Sequence, residues 1–136
     1  MKTILLIILF LPLLTTAQTD TSKVQILAIA EKMPRFPGGD DSLAKYLETH
    51  TVYPKICKDN NTVGIVYVKF AVSVDGHVAD ARVIRHAHPL MDTEALRVVN
   101  AMPLWEPGMQ KGQKVNVYSS VAVRFGVPDP RAGRKK

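Results

Sequence analysis

Residues Val63–Ile84 read VGIVYVKFAVSVDGHVADARVI, and the other elements of the chain can be placed around this segment. Apolar side chains occupy alternate positions of its first half, which is the period of a strand with one buried face. These side chains are Val66, Val68, Phe70, Val72 and Val74. The pair Asp75-Gly76 follows and favours a two-residue type I′ turn, because both central residues of that turn need a positive φ. The apolar set changes phase before Ile84, which indicates a β-bulge. The stretch therefore predicts a long antiparallel hairpin.

The remaining elements are three helices and one more strand. Two prolines and two glycines in Met33–Gly39 predict a fixed turn, and a helix follows over Asp40–Glu48. A short helix has Pro54 at its first position. A third helix opens at Pro89, presents Leu96, Val99 and Met102 on one face, and is closed by Pro103. The last strand, Val115–Phe125, alternates apolar and polar residues.

These elements predict an α+β fold, in which a three-stranded antiparallel sheet packs against two main helices. The β-branched segment Val24–Ala30 suits an extra N-terminal strand. If the last strand pairs beside the hairpin, one of its edges stays exposed.

The N-terminus reads as a secretion signal. An apolar run at Ile4–Leu14 follows Lys2, and small residues precede a predicted cut between Ala17 and Gln18. A membrane span needs about 20 apolar residues, so a retained anchor is the alternative and not the first interpretation. We therefore divide the chain into a signal peptide (1–17), an N-terminal segment (18–28), one domain (29–127) and a basic tail (128–136).

Charge and composition exclude several classes of function. The net charge is +6 at pH 7, but four basic residues lie in the last six residues, so the domain itself has no nucleic-acid footprint. The single cysteine, Cys57, allows no intrachain disulfide and is predicted to be a small buried hydrophobe.

The candidate chemical groups have structural explanations. His86 and His88 lack a third ligand nearby in sequence, and we expect them to be exposed loop residues without a metal. Trp105, between two prolines, is predicted to plug the core. Since no nucleophile, cofactor site or phosphate-binding loop remains, the sequence predicts no enzyme.

The order of motifs resembles the TonB C-terminal domain family, most strongly its short Gram-negative variant with a Phe-Pro-Gly-Gly turn. The similarity covers roughly Ile29–Phe125. The motifs are Phe36-Pro37-Gly38-Gly39, Tyr53-Pro54, the alternating strand from Gly64, Asp75-Gly76, Leu90–Leu96 and Met102–Gly108.

This resemblance implies a periplasmic protein-interaction domain without catalysis or cofactors, linked to TonB-dependent transmembrane transport. Its partner would be the TonB box, a short extended segment of an outer-membrane receptor that adds to the last strand. The implied contacts on that strand are Val117, Tyr118, Ser119, Ser120, Val121, Ala122, Val123 and Arg124. A secondary contact is implied at His50, Thr51, Val52 and Tyr53.

Two further interpretations remain open. In one, the apolar run anchors an energy transducer in the inner membrane, where it meets proton-driven partners of the ExbB and ExbD type. In the other, the exposed edge pairs with itself, and the protein is a structural homodimer. The favoured interpretation is a free-standing periplasmic domain, because the apolar run has no histidine and no long proline-rich spacer follows it.

Overall fold

The computed structural model describes residues 24–131. The predicted signal peptide, its cleavage site at Ala17 and Gln18, and the end of the basic tail lie outside the described residues. The elements, in chain order, are β1 (Ile26–Leu27), α1 (Asp40–His50), α2 (Lys55–Asp59), β2 (Gly64–Val72), β3 (Val78–Arg85), α3 (Pro89–Asn100), β4 (Gly108–Gln110) and β5 (Gln113–Phe125).

The predicted α+β fold is confirmed. The strands form one sheet in the order β1-β5-β2-β3, in which β2 is antiparallel to both β3 and β5. The predicted N-terminal strand is present as β1, which joins the outer edge of β5 in parallel. The short strand β4 was not predicted, and it pairs with the first residues of β5.

One face of the sheet carries the core, as the alternating pattern predicted. The buried residues of this face are Val66, Val68, Phe70 and Val72 of β2 and Val117, Val121, Val123 and Phe125 of β5. Met91, Ala95 and Val99 of α3 pack on this face. Trp105 is 6% exposed, with its ring centroid 5.2 Å from that of Phe70, which confirms the core plug. Cys57 is buried, as predicted.

The predicted turn type between β2 and β3 is wrong. Gly76 has φ 85°, but Asp75 is not among the residues with positive φ. The Gly76 N–H donates to the Ser73 carbonyl at 2.9 Å, and the Ser73 N–H donates to the His77 carbonyl at 2.9 Å. This is a three-residue loop with glycine in the left-handed position, in which only Gly76 needs a positive φ. The two-residue turn with both φ values positive occurs instead at Lys111-Gly112, between β4 and β5.

The helix boundaries differ slightly from those predicted. Helix α1 continues two residues beyond Glu48, and Pro54 is the N-cap of α2 rather than its first residue. Helix α3 begins at Pro89 as predicted, and the His88 ring caps it by accepting the N–H of Leu90 at 3.1 Å.

The phase change on the second hairpin arm is a bulge. Tyr67 and Val68 pair with Arg85 and Val83, so Ile84 is the extra residue. A second irregularity lies at Asp80, which adopts φ 51°. Both extra residues are on β3, so β2 runs without interruption between its neighbours.

Candidate peptide-binding edge

The backbone direction of β5 follows from the hairpin beside it. The Ser73 N–H donates to the His77 carbonyl, so the backbone N–H and C=O groups of Ser73 point toward β3. Backbone N–H and C=O groups point to alternate sides along an antiparallel strand. Those of the even-numbered residues of β2 therefore point toward β5. Their partners in β5, among them Ser119 and Val121, direct their own N–H and C=O groups toward β2. The N–H and C=O groups of the even-numbered residues of β5 therefore point away from β2.

Strand β1 occupies part of this outward edge. Ile26 pairs with Asn116, and Leu27 pairs with Val117. A strand that adds to β5 would therefore have to displace β1 in order to lie beside Val117. Tyr118 is the boundary of the covered part. Within residues 24–131, no strand pairs with the outward edge of Ser120, Ala122 and Arg124.

The side chains of these outward residues lie on the open face of the sheet. In register, Ser120 lies opposite Lys69, and Arg124 lies opposite Ile65. Ser120 is exposed, while Ala122 and Arg124 are half-buried. Ser119, Val121 and Val123 direct their side chains to the other face and their N–H and C=O groups toward β2, so an added strand would form no backbone hydrogen bonds with them.

A shallow pocket of about 400 Å³ lies where β1 leaves β5. Its lining residues are Ala28, Met33, Lys69, Ile84, Tyr118, Ser119 and Ser120. Lys69 leans across this pocket, with its Nζ 4.2 Å from the centroid of the Tyr118 ring, in a cation–π contact. The start of the free edge thus has an aromatic ring, an ammonium group and space beside it.

The predicted secondary contact, His50–Tyr53, lies between α1 and α2. Val52 is 63% exposed and His50 is exposed, while Thr51 and Tyr53 are half-buried. The Tyr53 ring lies 6.0 Å from that of Phe125, the last residue of β5. The structure therefore brings the segment next to the far end of the free edge through Tyr53.

Helix α3 fixes the backbone of this segment. Arg97 donates to the His50 carbonyl at 2.9 Å, and the Val52 N–H donates to the Glu94 carboxylate at 2.8 Å. The hydrogen bond from Arg97, opposed by partial burial and aided by the Val52 N–H, lowers the pKa of Glu94. Glu94 is thus ionised at neutral pH and holds both Arg97 and the segment.

The opposite edge of the sheet is less suited to pairing. Strand β3 contains the extra residue Ile84 and the irregularity at Asp80. Bulges twist a strand and interrupt its ladder, and they protect edges from a second chain. Within the part of the chain that the structure describes, the outward edge of β5 from Ser120 to Arg124 is uninterrupted and unpaired.

The two histidines ahead of α3 lie in different surroundings. His86 is exposed and its Nδ1 lies 2.7 Å from Asp92. The expectation of an exposed loop residue is wrong for His88, which is half-buried, caps α3 and lies 3.5 Å from the Cys57 sulfur. No group of three or more potential ligands is found within residues 24–131.

The family follows from a sequence comparison. The family model described as the C-terminal domain of the Gram-negative bacterial TonB protein matches residues 49–127, more than half of the chain. The chain belongs to the TonB C-terminal family. This family is a non-catalytic protein-interaction domain of the periplasm. The matched region contains β2 to β5 and the segment ahead of Tyr53, so every free-edge residue lies within it.

Two solved structures resemble this TonB family domain. Both are NMR solution structures of the Helicobacter pylori TonB C-terminal domain. The first shares 18% identity, covers 68% of this chain and 88% of that chain, and has a TM-score of 0.48. The second shares 20% identity, covers 60% and 88%, and has a TM-score of 0.43. No curated protein matches the chain. Within residues 24–131, no helix is long and apolar enough to cross a membrane.

Sequence reasoning missed two features of the edge. The coverage of Val117 by Leu27 depends on which residues of two distant strands meet, and the sequence does not encode this register locally. The second feature is the position of Lys69 beside the edge. The sequence did hint at it, because Lys69 is the one charged residue in the otherwise apolar and aromatic strand β2.

Proposed function

We propose that this TonB family protein is a periplasmic domain that binds the TonB box of outer-membrane receptors by strand addition to β5. The observation that supports the proposal is the free outward edge at Ser120, Ala122 and Arg124. An unpaired row of N–H and C=O groups accepts an extended segment directly. The protein would then act in TonB-dependent transport as a binding partner and not as an enzyme.

Backbone pairing alone gives weak binding. Each hydrogen bond contributes about 1 kcal/mol net, while ordering an extended peptide costs about 1 to 2 kcal/mol per residue. Side-chain contacts must therefore supply the affinity. The pocket beside Tyr118 offers one such contact at the start of the free edge.

The segment His50–Tyr53 supplies a second contact at the other end. Val52 presents an exposed apolar side chain, and its backbone is held by Glu94. Tyr53 packs against Phe125 at the end of β5, which puts this segment near the end of the strand along which the receptor segment would run. A rigid second contact raises affinity, since little conformational entropy is lost there on binding.

We also propose that the chain is exported and cut between Ala17 and Gln18. The length of the apolar run supports cleavage over anchoring. Intact mass of the protein isolated from the periplasm of a Gram-negative host tests this, and a mass beginning at Gln18 is expected. A full-length species in the inner-membrane fraction would contradict it and would support the anchored transducer.

Backbone N-methylation of a receptor-segment peptide tests strand addition. Only every second N–H of an added strand points at the protein. One peptide is methylated at its odd-numbered positions and a second at its even-numbered positions. One of the two should lose binding, and the other should retain it. Isothermal titration calorimetry with the protein isolated from its host measures the dissociation constants. Equal binding of both methylated peptides would contradict strand addition.

Two protein variants locate the site. Ser120→Pro removes an outward N–H and leaves the hydrogen bonds to β2 in place, because Ser120 faces away from β2. It should weaken binding of the unmodified peptide more than truncation of the chain at Arg131 does. An equal loss from both changes would mean that the basic tail, not the edge, makes the contact.

A further inference from the structure

Basic and acidic residues are distributed unequally between the sheet and the helices of this protein. Strands β2, β3 and β5 carry five basic residues and one acidic residue, Asp80. The basic residues are Lys69, Arg82, Arg85, Lys114 and Arg124. The three helices carry six acidic and four basic residues. The sheet is therefore strongly positive although the domain as a whole is nearly neutral.

The basic residues of the sheet have no acidic partners within residues 24–131. The four ion pairs there are Lys55–Asp59, His86–Asp92, Arg97–Glu94 and Arg131–Asp129. Instead, Lys69 lies over the Tyr118 ring and Arg85 over the Tyr67 ring. Lys69 also lies directly opposite Arg82, and like charges in such a pair are destabilising. Within residues 24–131, Lys69 and Arg85 are therefore offset by aromatic rings and not by carboxylates.

Two of these charges flank the free edge. The Lys69 side chain leans from β2 over β5, beside Ser120, and Arg124 belongs to β5 itself. Ser120 and Arg124 are four residues apart, a distance of about 13 Å along a strand. Ala122 lies between them and leaves room for a larger side chain. Both charges are on the open face, where an added strand also places alternate side chains.

The field of Arg124 already acts on one carboxylate of the chain. The Arg131 N–H, followed by the charges of Arg131 and Arg124, lowers the pKa of Asp129. No ion pair within 4.0 Å joins Asp129 to Arg124. Within residues 24–131, Arg124 takes part in none of the four ion pairs, so its guanidinium can bind a carboxylate from a partner.

We propose that the segment that adds to β5 is acidic and carries carboxylates at two positions four residues apart, facing Lys69 and Arg124. This inference rests on the proposed strand addition and specifies its partner. The residue midway between the two carboxylates is apolar and covers Ala122. Charge complementarity of this kind sets the register of the added strand and its selectivity.

The same charges act against pairing of two copies of this chain along β5. An antiparallel β5 pair would bring the basic groups of both copies onto one open face. Like charges across an interface suppress the wrong partner. An acidic segment from another protein, and not a second copy, is the occupant that fits.

Binding of three short peptides to the isolated protein tests the proposal. One has two aspartates four residues apart in a threonine and valine background, and the second has asparagine at both positions. The third has the same composition as the first, with the aspartates three residues apart and so on opposite faces. We expect the first to bind about fivefold more tightly than the second, since exposed ion pairs are individually weak. The third should bind like the second, and raising the salt from about 0.05 M to about 0.5 M should remove the difference.

Charge variants assign the effect to residues. Lys69→Gln and Arg124→Gln should each weaken the first peptide about twofold to threefold and leave the asparagine peptide unchanged. Lys45→Gln, at an exposed position of α1, is the control for net charge and should change neither.

The outcomes separate this inference from the proposed function. The asparagine and aspartate peptides could bind equally while N-methylation at alternate positions still decides whether a peptide binds. In that case strand addition holds and the acidic partner is wrong. If the third peptide or vesicles of anionic lipid bind as well as the first, the basic face is unselective, which also overturns the inference. If none of the peptides binds, strand addition itself fails.

Discussion

Leu27 of β1 pairs in register with Val117 of β5, and the free edge of the sheet begins one residue later. The N-terminal segment thus limits the length of edge that a partner can use. Strand addition must start beside Tyr118, where the Lys69 ammonium and the pocket also lie. In the proposed complex, the pairing of these two short segments would set where the receptor segment begins.

Removing the pairing of β1 should lengthen the free edge. Since even-numbered residues of β5 point outward, Leu27 directs its N–H and C=O toward Asn116 and Tyr118. Leu27→Pro should speed hydrogen exchange of the Tyr118 amide at least about tenfold and leave Val121 unchanged. Ile26→Pro is the control, because its N–H points away from β5. Equal effects of both prolines would show that β1 acts only by general packing.

Gly76 should be intolerant of a side chain for two reasons. Its φ is 85°, and an added Cβ would lie 2.2 Å from the Trp105 carbonyl oxygen. Gly112 has φ 73° but nothing within 4 Å of an added Cβ. Gly112→Ala should lower the free energy of unfolding by about 1 to 2 kcal/mol, and Gly76→Ala by about 1 to 3 kcal/mol more, in urea titrations. A smaller loss at Gly76 would contradict the described contact of the turn with Trp105.

Glu94 should make part of the stability depend on pH. Its folded-state pKa is below the ordinary value of 4.5, mainly because Arg97 donates to it. A lowered folded-state pKa gives a stabilisation that is present above the ordinary value and is lost as the pH falls through the folded-state pKa. Glu94→Gln should therefore reduce the urea midpoint at pH 7, and the difference from the natural chain should shrink as the pH falls below the ordinary pKa of 4.5 and vanish below the folded-state pKa. Glu48→Gln, at an exposed position of α1, is the control. A difference that persists unchanged at low pH would exclude this role of the carboxylate.

The main elements could be predicted from the sequence because their periods are strong. The alternation in Val66–Val72 and Val115–Phe125 identified both central strands, and Pro89 and Pro103 bounded α3 closely. The phase change before Ile84 identified a bulge. These signals are local, since each follows from the burial of one face of one element.

The features that were predicted wrongly or missed depend on contacts between distant segments. Asp75-Gly76 is a strong two-residue turn signal, yet the contact of the turn with Trp105 accompanies a longer loop. Conversely, Lys111 is a weak candidate for positive φ, and the three residues of β4 are too few to show a period. The basic sheet face was missed because net charge was counted along the chain, whereas the cross-strand register that brings Lys69 and Arg124 to one edge appears only in the structure.

Hydrogen exchange along β5 measures whether a partner strand pairs with the free edge. The amides of Ser120, Ala122 and Arg124 should exchange faster than those of Val121 and Val123 in the free protein, because only the valine amides face β2. Saturation with a receptor-segment peptide should slow Ser120, Ala122 and Arg124 at least about tenfold and leave the valines unchanged. A peptide that binds without protecting these three amides, or that protects β3 instead, would show that the partner is held elsewhere.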